Sequence, residues 1–403
     1  MKILVLNSGS SSQKSALYEI GDNLPSDPPS PLWEGKIEWN GDDARFRLRT
    51  SAGASHDGAI KVSSRAEAVE HLLSTLWNGN TRAVGSAAEI EVVGHRVVHG
   101  GPNYDEPTRL TAEVKAEIAK VSVFAPLHNR AELEGMAIVE KLLGAVPQVA
   151  VFDTGFHRTL PPYAFVYPGP YRWLEEGIRR YGFHGINHQY CAERAAQLLR
   201  RDPSSLKVVT CHLGNGCSLA AIRAGKSVDT TMGFTPLEGL MMGTRSGSVD
   251  PGILTYLMRQ HQLEPQWIDD LLNKESGLLG ISGVSGDMRE IVSLMKRGHS
   301  RAELAFDIFV HRLVAGIGSM VAVLRGMDAL VFTAGIGENS PEVREAVCQS
   351  LTFLGLNLDV DANSHVSPDA DIAGSTSAVR ILVIRAQEDW AIAKDCSRLM
   401  QKH

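Results

Sequence analysis

Short apolar runs typical of buried strands alternate along the chain with segments whose apolar residues recur at helical spacing. The strand-like runs lie at residues 3–6, 16–20, 35–39, 91–98, 148–152, 207–211, 218–223, 329–333 and 380–384. The helix-period segments lie at 66–77, 112–121, 129–143, 187–200, 300–325, from 341 onward and at 389–400. This alternation predicts an α/β protein, with a β-meander where Pro, Gly, Ser and Asp crowd residues 21–59.

Local signals predict where several helices begin. Asn187 is predicted as the N-cap of the helix through residue 200, because its short polar side chain can accept from first-turn amides. Ser300 and Glu303 have capping-box spacing. Pro341 is predicted in the first turn of the next helix.

One arrangement occurs twice: a strand, a small polar glycine loop and a second strand. It reads ILVLNSGSSSQKSALYEI from residue 3 and VVTCHLGNGCSLAAI from residue 208. The local identity is weak, so a chance likeness stays open. If the repeat is real, two similar domains face each other across a cleft, and each offers a loop of backbone N–H groups suited to a polyphosphate.

Composition narrows the function classes. The 403 residues include 40 Lys and Arg against 46 Asp and Glu, a formal charge of −6, so no nucleic-acid partner is expected. The longest uncharged apolar run, residues 313–324, is too short for a bilayer, and Asn7 interrupts the N-terminal run too early for a signal sequence. Five cysteines without a C-x-x-C pair favour free thiols. We therefore expect a cytoplasmic protein with no membrane partner.

Familiar nucleotide and metal motifs fail. Ala220 stands where a Walker A loop ending in Gly225-Lys-Ser requires glycine, and Ser340 stands at the third glycine of a dinucleotide fingerprint. Gly185 replaces the glutamate of a zinc-protease motif between His184 and His188. What remains is a series of polar glycine-rich segments. Each alone could be a turn or a structural group, but together they offer the phosphate cradles, isolated arginines, histidines and carboxylates that phosphoryl transfer uses.

Taken together, these segments resemble the acetokinase family, in its order and spacing and over the whole chain. They read NSGSSSQK, GHRVVHGG, FAPLHN, VFDTGFH, RRYGFHG, CHLGNGCS, MGTRSGSVDPG, SGVSGDMR and FTAGIGENS. The resemblance implies two duplicated actin-like, ribonuclease H-like domains of the sugar-kinase, Hsp70 and actin superfamily. It places an N-terminal domain at 1–154, a nucleotide-binding domain at 155–387, and a C-terminal helix, 388–403, that packs back on the first.

The resemblance also implies site roles, all in this chain's numbering. Asn7 and Glu388 match the Mg²⁺ site, where Mn²⁺ could substitute. The catalytic positions are Asp153, His184, Arg245, Arg96 and His128. Arg96 binds the acetate carboxylate, and Val98, Leu127, Phe183 and Pro236 form the pocket for its methyl group. The ATP or ADP contacts are Lys14, His212, Leu213, Gly214, Asn215, Gly216, Asp287, Met288, Arg289, Gly335, Ile336, Gly337, Glu338 and Asn339.

The expected reaction is reversible in-line transfer from ATP to acetate, giving acetyl phosphate and ADP, in a homodimer. Because acetate is already an anion, it needs no strong general base, and Asp153 is expected to orient and balance charge. Two alternatives stay open: a propionate or butyrate kinase of the same family, and a nucleotide-driven switch like actin or Hsp70. The segment Arg385-Ala-Gln-Glu-Asp389 departs from the Thr-Asn-Glu-Glu that is usual in the family, and the Gln387 change makes Glu388 the least secure metal assignment.

Overall fold

The computed structural model describes residues 1–8, 12–40, 43–123 and 126–401, with the backbone alone at 40, 123 and 126–128. The chain forms two compact units. Unit 1 comprises Met1–Gly155 and Gln387–His403, and unit 2 comprises Phe156–Ala386.

Unit 1 is built on an eight-stranded mixed sheet in the order β5-β4-β3-β2-β1-β6-β8-β7. Its strands are β1 Lys2–Ser8, β2 Ser12–Glu19, β3 Trp33–Asn40, β4 Asp43–Thr50, β5 Ser55–Lys61, β6 Val92–Val97, β7 Thr108–Arg109 and β8 Gln148–Phe152. Its helices are α1 Arg65–Ser74, α2 Ala112–Lys120, α3 Pro126–Leu143 and α15 Glu388–Gln401. Strands β2 to β5 form the expected antiparallel meander.

Unit 2 has a six-stranded mixed sheet in the order β11-β10-β9-β12-β14-β13. Its strands are β9 Lys207–Leu213, β10 Cys217–Arg223, β11 Lys226–Thr230, β12 Ala329–Thr333, β13 Ala370–Asp371 and β14 Arg380–Val383. Its helices are α4 Pro162–Phe165, α5 Arg172–Glu175, α6 Gly185–Leu199, α7 Pro251–His261, α8 Pro265–Lys274, α9 Gly277–Ser282, α10 Met288–Lys296, α11 Ser300–Leu324, α12 Ala334–Asn339, α13 Pro341–Ser350 and α14 Val360–Ser364.

The two sheets repeat one topology. In unit 1, β3, β2 and β1 are antiparallel neighbours, and β1, β6 and β8 run parallel. In unit 2, β11, β10 and β9 are antiparallel neighbours, and β9, β12 and β14 run parallel. Shared strand order and direction confirm the duplication that weak local similarity had suggested. The β9–β10 turn is residues 214–216, whereas its counterpart, residues 9–11, lies outside the described residues.

Each repeat is completed by a helix that packs on its parallel strands. Helix α15 packs on β1 and β6 of unit 1, and α6 packs on β9 and β12 of unit 2. The unit 1 core is aliphatic and aromatic, with Trp33, Leu72 and Val93 fully buried. In unit 2, Phe309 of α11 and Phe332 of β12 are buried. All five cysteines are free and buried, as expected.

Two capping predictions were wrong. Helix α6 begins at Gly185, after His184 in the left-handed region at φ 57°. Asn187 therefore lies inside the first turn, where it is fully buried. At α11 the cap is His299, whose Nδ1 accepts from the Ala302 N–H at 3.1 Å, so Ser300 is the first helical residue. Pro341 does occupy the first turn of α13, as predicted.

Helix α11 is the single helix in the described part of the chain that is long and apolar enough to cross a membrane by length and composition. Core helices of soluble proteins pass the same test.

Candidate active site

A buried ion pair lies at one edge of the unit 1 sheet. Arg96 is near the end of β6 and Asp153 directly follows β8; these strands are parallel neighbours, so their ends meet. Arg96 Nη2 donates to Asp153 Oδ2 at 2.6 Å. Burial alone would lower the pKa of Arg96, but the carboxylates of Asp153 and Glu388 raise it above its ordinary value. Arg96 is therefore a permanent cation.

The same guanidinium reaches a group of oxygen ligands at the start of α15. Arg96 Nη1 lies 3.4 Å from Asn7 Oδ1, and Asn7 Nδ2 donates to Glu388 Oε2 at 3.1 Å and Asp389 Oδ1 at 3.3 Å. Burial and the adjacent Glu388 raise the pKa of Asp389 to about 6. A bound cation would relieve this crowding of carboxylates. An amide and two carboxylates are the hard oxygen donors that Mg²⁺ prefers, with water completing its shell.

Lys14 lies across the first hairpin from Asn7, since the two are register partners of β2 and β1. Its side chain is exposed, and its charge lowers the pKa of Asp389. Lys14 therefore acts on the same edge of unit 1 as the oxygen ligands. Among the described residues, no three His, Cys, Asp or Glu side chains cluster as a metal site. Any Mg²⁺ held here would thus depend on water and substrate oxygens for part of its shell.

Unit 2 presents two stacked imidazoles. The rings of His184 and His212 lie with centroids 3.9 Å apart and planes at 12°. His184 Nδ1 bonds Ser218 Oγ at 2.9 Å, and Asn187 Nδ2 donates to His212 Nδ1 at 2.8 Å. Because Nδ1 of His212 accepts a hydrogen bond, neutral His212 carries its proton on Nε2. That atom lies 3.7 Å from the position of a Cβ at Gly214, so the proton faces the β9–β10 turn.

A buried cation faces the same turn. A Cβ at Gly216 would lie 3.5 Å from both Arg245 Nη1 and His184 Nε2, so these two groups converge there. Arg245 Nη1 donates to the Pro236 carbonyl at 3.1 Å, and no carboxylate of the described chain pairs with Arg245. Burial lowers its pKa from the ordinary value. A buried cation without a counter-charge beside a glycine turn is suited to bind an anion.

A cavity of about 790 Å³ opens from this turn. Three segments distant in sequence line it: the β9–β10 turn, the start of α10, and the segment from α12 into α13. The lining residues are Gly214, Asn215, Gly286, Asp287, Met288, Arg289, Val292, Gly335, Ile336, Asn339, Ser340, Pro341 and Glu342. Its size and its glycine-rich phosphate end are those expected for a nucleotide.

Comparison with known proteins gives one consistent result. A sequence profile of the acetokinase family matches residues 2–394. An acetate kinase of Trichormus variabilis is 57% identical over 405 residues, covering 100% of both chains. The chain belongs to the acetokinase family.

Solved structures of this family have the same fold. The chain is similar to the acetate kinase of Porphyromonas gingivalis, with a TM-score of 0.90, 40% identity and 99% of each chain covered. It is also similar to a propionate kinase of Francisella tularensis, with a TM-score of 0.89, 37% identity and coverage of 98% of this chain and 99% of that one.

Several positions inferred from the acetokinase resemblance lie close together within each unit. Unit 1 brings together Asn7, Arg96, Asp153 and Glu388, and unit 2 brings together His184, His212, Gly216 and Arg245. The positions assigned to the methyl pocket are not exposed: the side chains of Val98 and Phe183 are buried, and that of Pro236 is partly buried. Leu127 and His128 belong to α3, but their side chains lie outside the described residues.

Six predicted nucleotide contacts are not among the residues that line the cavity: Lys14, His212, Leu213, Gly216, Gly337 and Glu338. Glu338 turns inward, where its carboxylate accepts the N–H groups of Ala334 at 3.0 Å and Ala386 at 2.8 Å. Gly337 packs against Phe332, and Leu213 is fully buried. The side chain of Glu338 therefore supports the cavity wall by holding α12 to the chain segment that precedes α15.

Several polar groups near these positions escaped sequence reasoning. Asp389 directly follows Glu388, and only the start of α15 brings both to Asn7. Asn187 was assigned to a helix end, although its amide contacts His212. Glu132, on the buried face of α3, accepts the Val98 N–H. A glutamate among apolar positions at helical spacing was the one available signal for it.

Proposed function

We propose that this chain catalyses reversible, Mg²⁺-dependent transfer of the γ-phosphoryl group of ATP to acetate, giving acetyl phosphate and ADP. The observation that carries the proposal is largely buried Arg245, which has no carboxylate partner in the described chain and converges with His184 at Gly216. The family's curated members named acetate kinase support the same reaction.

In the proposed reaction the acceptor's carboxylate binds to unit 1. Arg96 binds the acetate carboxylate while Asp153 fixes the guanidinium plane through its 2.6 Å bond. Val98, Leu127, Phe183 and Pro236 are assigned to the methyl group. Asn7, Glu388 and Asp389 are assigned to Mg²⁺, which when bound neutralises phosphate charge. Lys14 adds a cation for the nucleotide phosphates.

Unit 2 holds the nucleotide in the 790 Å³ cavity, with the adenosine between α10 and α12 and the phosphates at the β9–β10 turn. An acetate oxygen attacks the γ-phosphorus as the bond to the β,γ-bridging oxygen breaks, and ADP leaves with that electron pair. Arg245 and His184 stabilise the transferring group, a device worth roughly 10³–10⁵ in rate for an arginine. No proton is abstracted and no phosphoenzyme is formed.

Acetate is proposed over longer acids, and a specific observation keeps propionate as the second candidate. The propionate kinase of Francisella tularensis has nearly the same fold agreement as the acetate kinase of Porphyromonas gingivalis. One methylene in an apolar pocket changes binding by only about 1–3 kcal/mol. The two activities are therefore expected to overlap in degree.

A homodimer formed through unit 2 is part of the proposal. Unit 2 exposes large apolar side chains at Val249, Ile253, Tyr256, Trp267, Leu304 and Val323. These exposed side chains support an interface on unit 2 to the extent that they form one patch. The cytoplasm is the proposed compartment, because the five buried thiols are free. No nucleic acid and no membrane partner is proposed.

The test is initial-rate measurement of acyl phosphate, trapped with hydroxylamine, using Mg²⁺-ATP and acetate, propionate or butyrate in parallel. The highest kcat/KM with acetate supports the proposal. A higher value with propionate or butyrate would replace the substrate but keep the mechanism. ATP binding without acyl phosphate from any acid would contradict the catalytic roles.

A further inference from the structure

A buried carboxyl group lies behind the acetate-binding arginine. Glu132 of α3 is 1% exposed, and both of its carboxyl oxygens lie within hydrogen-bond distance of the Val98 N–H, at 3.1 and 3.2 Å. Val98 follows Arg96 by two residues at the end of β6. Glu132 therefore fixes the backbone that carries both the arginine and the methyl-pocket valine proposed for acetate.

Three charged groups face Glu132 from the surrounding elements: Arg96 of β6, Asp153 after β8 and Arg65 of α1. Nearby cations have other carboxylate partners: Lys115 of α2 pairs with Glu140, Lys141 of α3 pairs with Glu70, and Arg65 also pairs with Glu134. The buried His95 and His99 have pKa values lowered to about 4 and are neutral at pH 7. The immediate neighbourhood of Glu132 thus holds two cations and one anion before any substrate arrives.

Burial raises the pKa of Glu132 to about 8, because the cost of desolvating its charge exceeds the attraction of Arg96 and Arg65, and Asp153 adds repulsion. At neutral pH the positive charge of Arg96 is neutralised by Asp153. Acetate then brings a second carboxylate to Arg96. An ionised Glu132 would place a third carboxylate beside that one guanidinium. Like charges at this separation in a buried site are strongly unfavourable.

We propose that Glu132 is a positioning residue for acetate, which binds Arg96 when Glu132 is neutral and is rejected when Glu132 is ionised. Arg96 Nε is buried without a hydrogen-bond partner in the described chain, so Glu132 acts on the guanidinium through its charge and through the Val98 backbone. The inference rests on the proposed acetate kinase reaction.

The test is the pH dependence of the KM for acetate between pH 7 and pH 9, at saturating Mg²⁺-ATP. For wild type we expect the KM to rise about tenfold over this range, as a single group with a pKa near 8 ionises. The KM for ATP and the kcat at saturating acetate should not share this rise. In Glu132→Gln, whose amide oxygen still accepts the Val98 N–H, the rise should disappear.

Glu134→Gln is the matched control. Glu134 lies on the same helix and pairs with Arg65 at 3.2 Å, but its side chain is 41% exposed. Its variant should keep the wild-type rise. A wild-type KM that stays flat to pH 9 would overturn the inference even if Glu132→Gln did not fold. The same rise in Glu132→Gln as in wild type would also overturn it. Failure of wild type to form acyl phosphate at pH 7 would instead contradict the proposed function.

Discussion

Arg96 and Asp153 form a buried ion pair in which one guanidinium nitrogen donates to a carboxylate oxygen at 2.6 Å. The Asp153 side chain is 1% exposed. The pair joins the ends of two parallel strands, and the Asp153 N–H also donates to the Val97 carbonyl at 2.8 Å. Both main chain and side chain therefore fix Asp153 against the strand that carries Arg96.

This geometry predicts that Asp153 acts by orientation. In Asp153→Asn the amide oxygen still accepts from Arg96, and only the charge is lost. A hydrogen bond to a charged group contributes about 1.5–3 kcal/mol, so kcat/KM for acetate should fall about 10- to 100-fold. The acid limb of the pH–rate profile should stay in place. Asp57→Asn, which alters an exposed pair with Arg49, is the control and should leave kcat/KM unchanged. Loss of the acid limb together with a 10⁴-fold fall would instead indicate proton transfer by Asp153.

Asn187 is predicted to act on nucleotide binding through His212. Asn187→Ala removes the amide that donates to His212 Nδ1 at 2.8 Å, and with it the contact that favours the proton on Nε2. We expect the KM for ATP to rise about 5- to 30-fold, the equivalent of one buried hydrogen bond. The KM for acetate should not change.

Asn187→Ser is the matched control, because its hydroxyl keeps a hydrogen-bond donor on a shorter side chain. It should recover part of the affinity for ATP that alanine loses. Equal losses in the serine and alanine variants, or a change confined to the KM for acetate, would contradict the tautomer argument.

The regular elements could be predicted because their signals are local. Strand β8, residues 148–152, and β12, residues 329–333, were predicted with the observed bounds, since each is a short apolar run between polar turns. The repeated strand–loop–strand pattern predicted the duplication, which the two sheets confirm. Helix starts were less secure. His299 caps α11 with a ring nitrogen, and a rule based on short polar side chains favours Ser300 instead.

The sequence predicted those site residues that lie within recognisable family motifs, and it did not predict the residues that support them. Arg96, Asp153, His184 and Arg245 stand in family segments, so resemblance found them. Their supporting groups depend on tertiary packing. Asn187 turns inward because α6 begins two residues before it. Glu338 turns away from the cavity because two backbone N–H groups lie within its reach. No local pattern distinguishes these orientations.

Buried neutral histidines predict a loss of stability in acid. The pKa of His99 is lowered to about 4 by burial, against an ordinary value of 6.5. Below pH 6.5 the unfolded chain therefore binds a proton that the folded chain excludes. The free energy of unfolding should fall by up to about 1.4 kcal/mol per pH unit for this one group as pH drops towards 4.

The measurement is urea unfolding of wild type and His99→Asn at pH 7, 6 and 5. Asparagine keeps an acceptor for the Gly101 N–H, which His99 Nδ1 accepts at 2.9 Å, but it does not titrate. The variant should show a shallower decline than wild type by about one proton. Parallel declines in the two proteins would contradict the neutral state of buried His99.

A substitution at Gly216 is expected to change the rate of catalysis without changing the stability of the fold. A methyl group there would lie 3.5 Å from Arg245 Nη1 and His184 Nε2, which is ordinary van der Waals contact. Gly216→Ala should therefore fold with little change in Tm. The methyl group would nevertheless fill the point where the two groups converge on the transferring phosphoryl group. We expect kcat to fall at least 10²-fold, because donors to the transition state act only at close range.

Gly335→Ala is the matched control, since nothing lies within 4 Å of a Cβ there although Gly335 lines the nucleotide cavity. It should change the KM for ATP modestly and leave kcat near wild type. If the Gly216→Ala variant keeps the wild-type kcat, the transferring phosphoryl group does not lie between Arg245 and His184. Equal effects of the two substitutions would show that general crowding of the cavity, and not the position of that group, limits the rate.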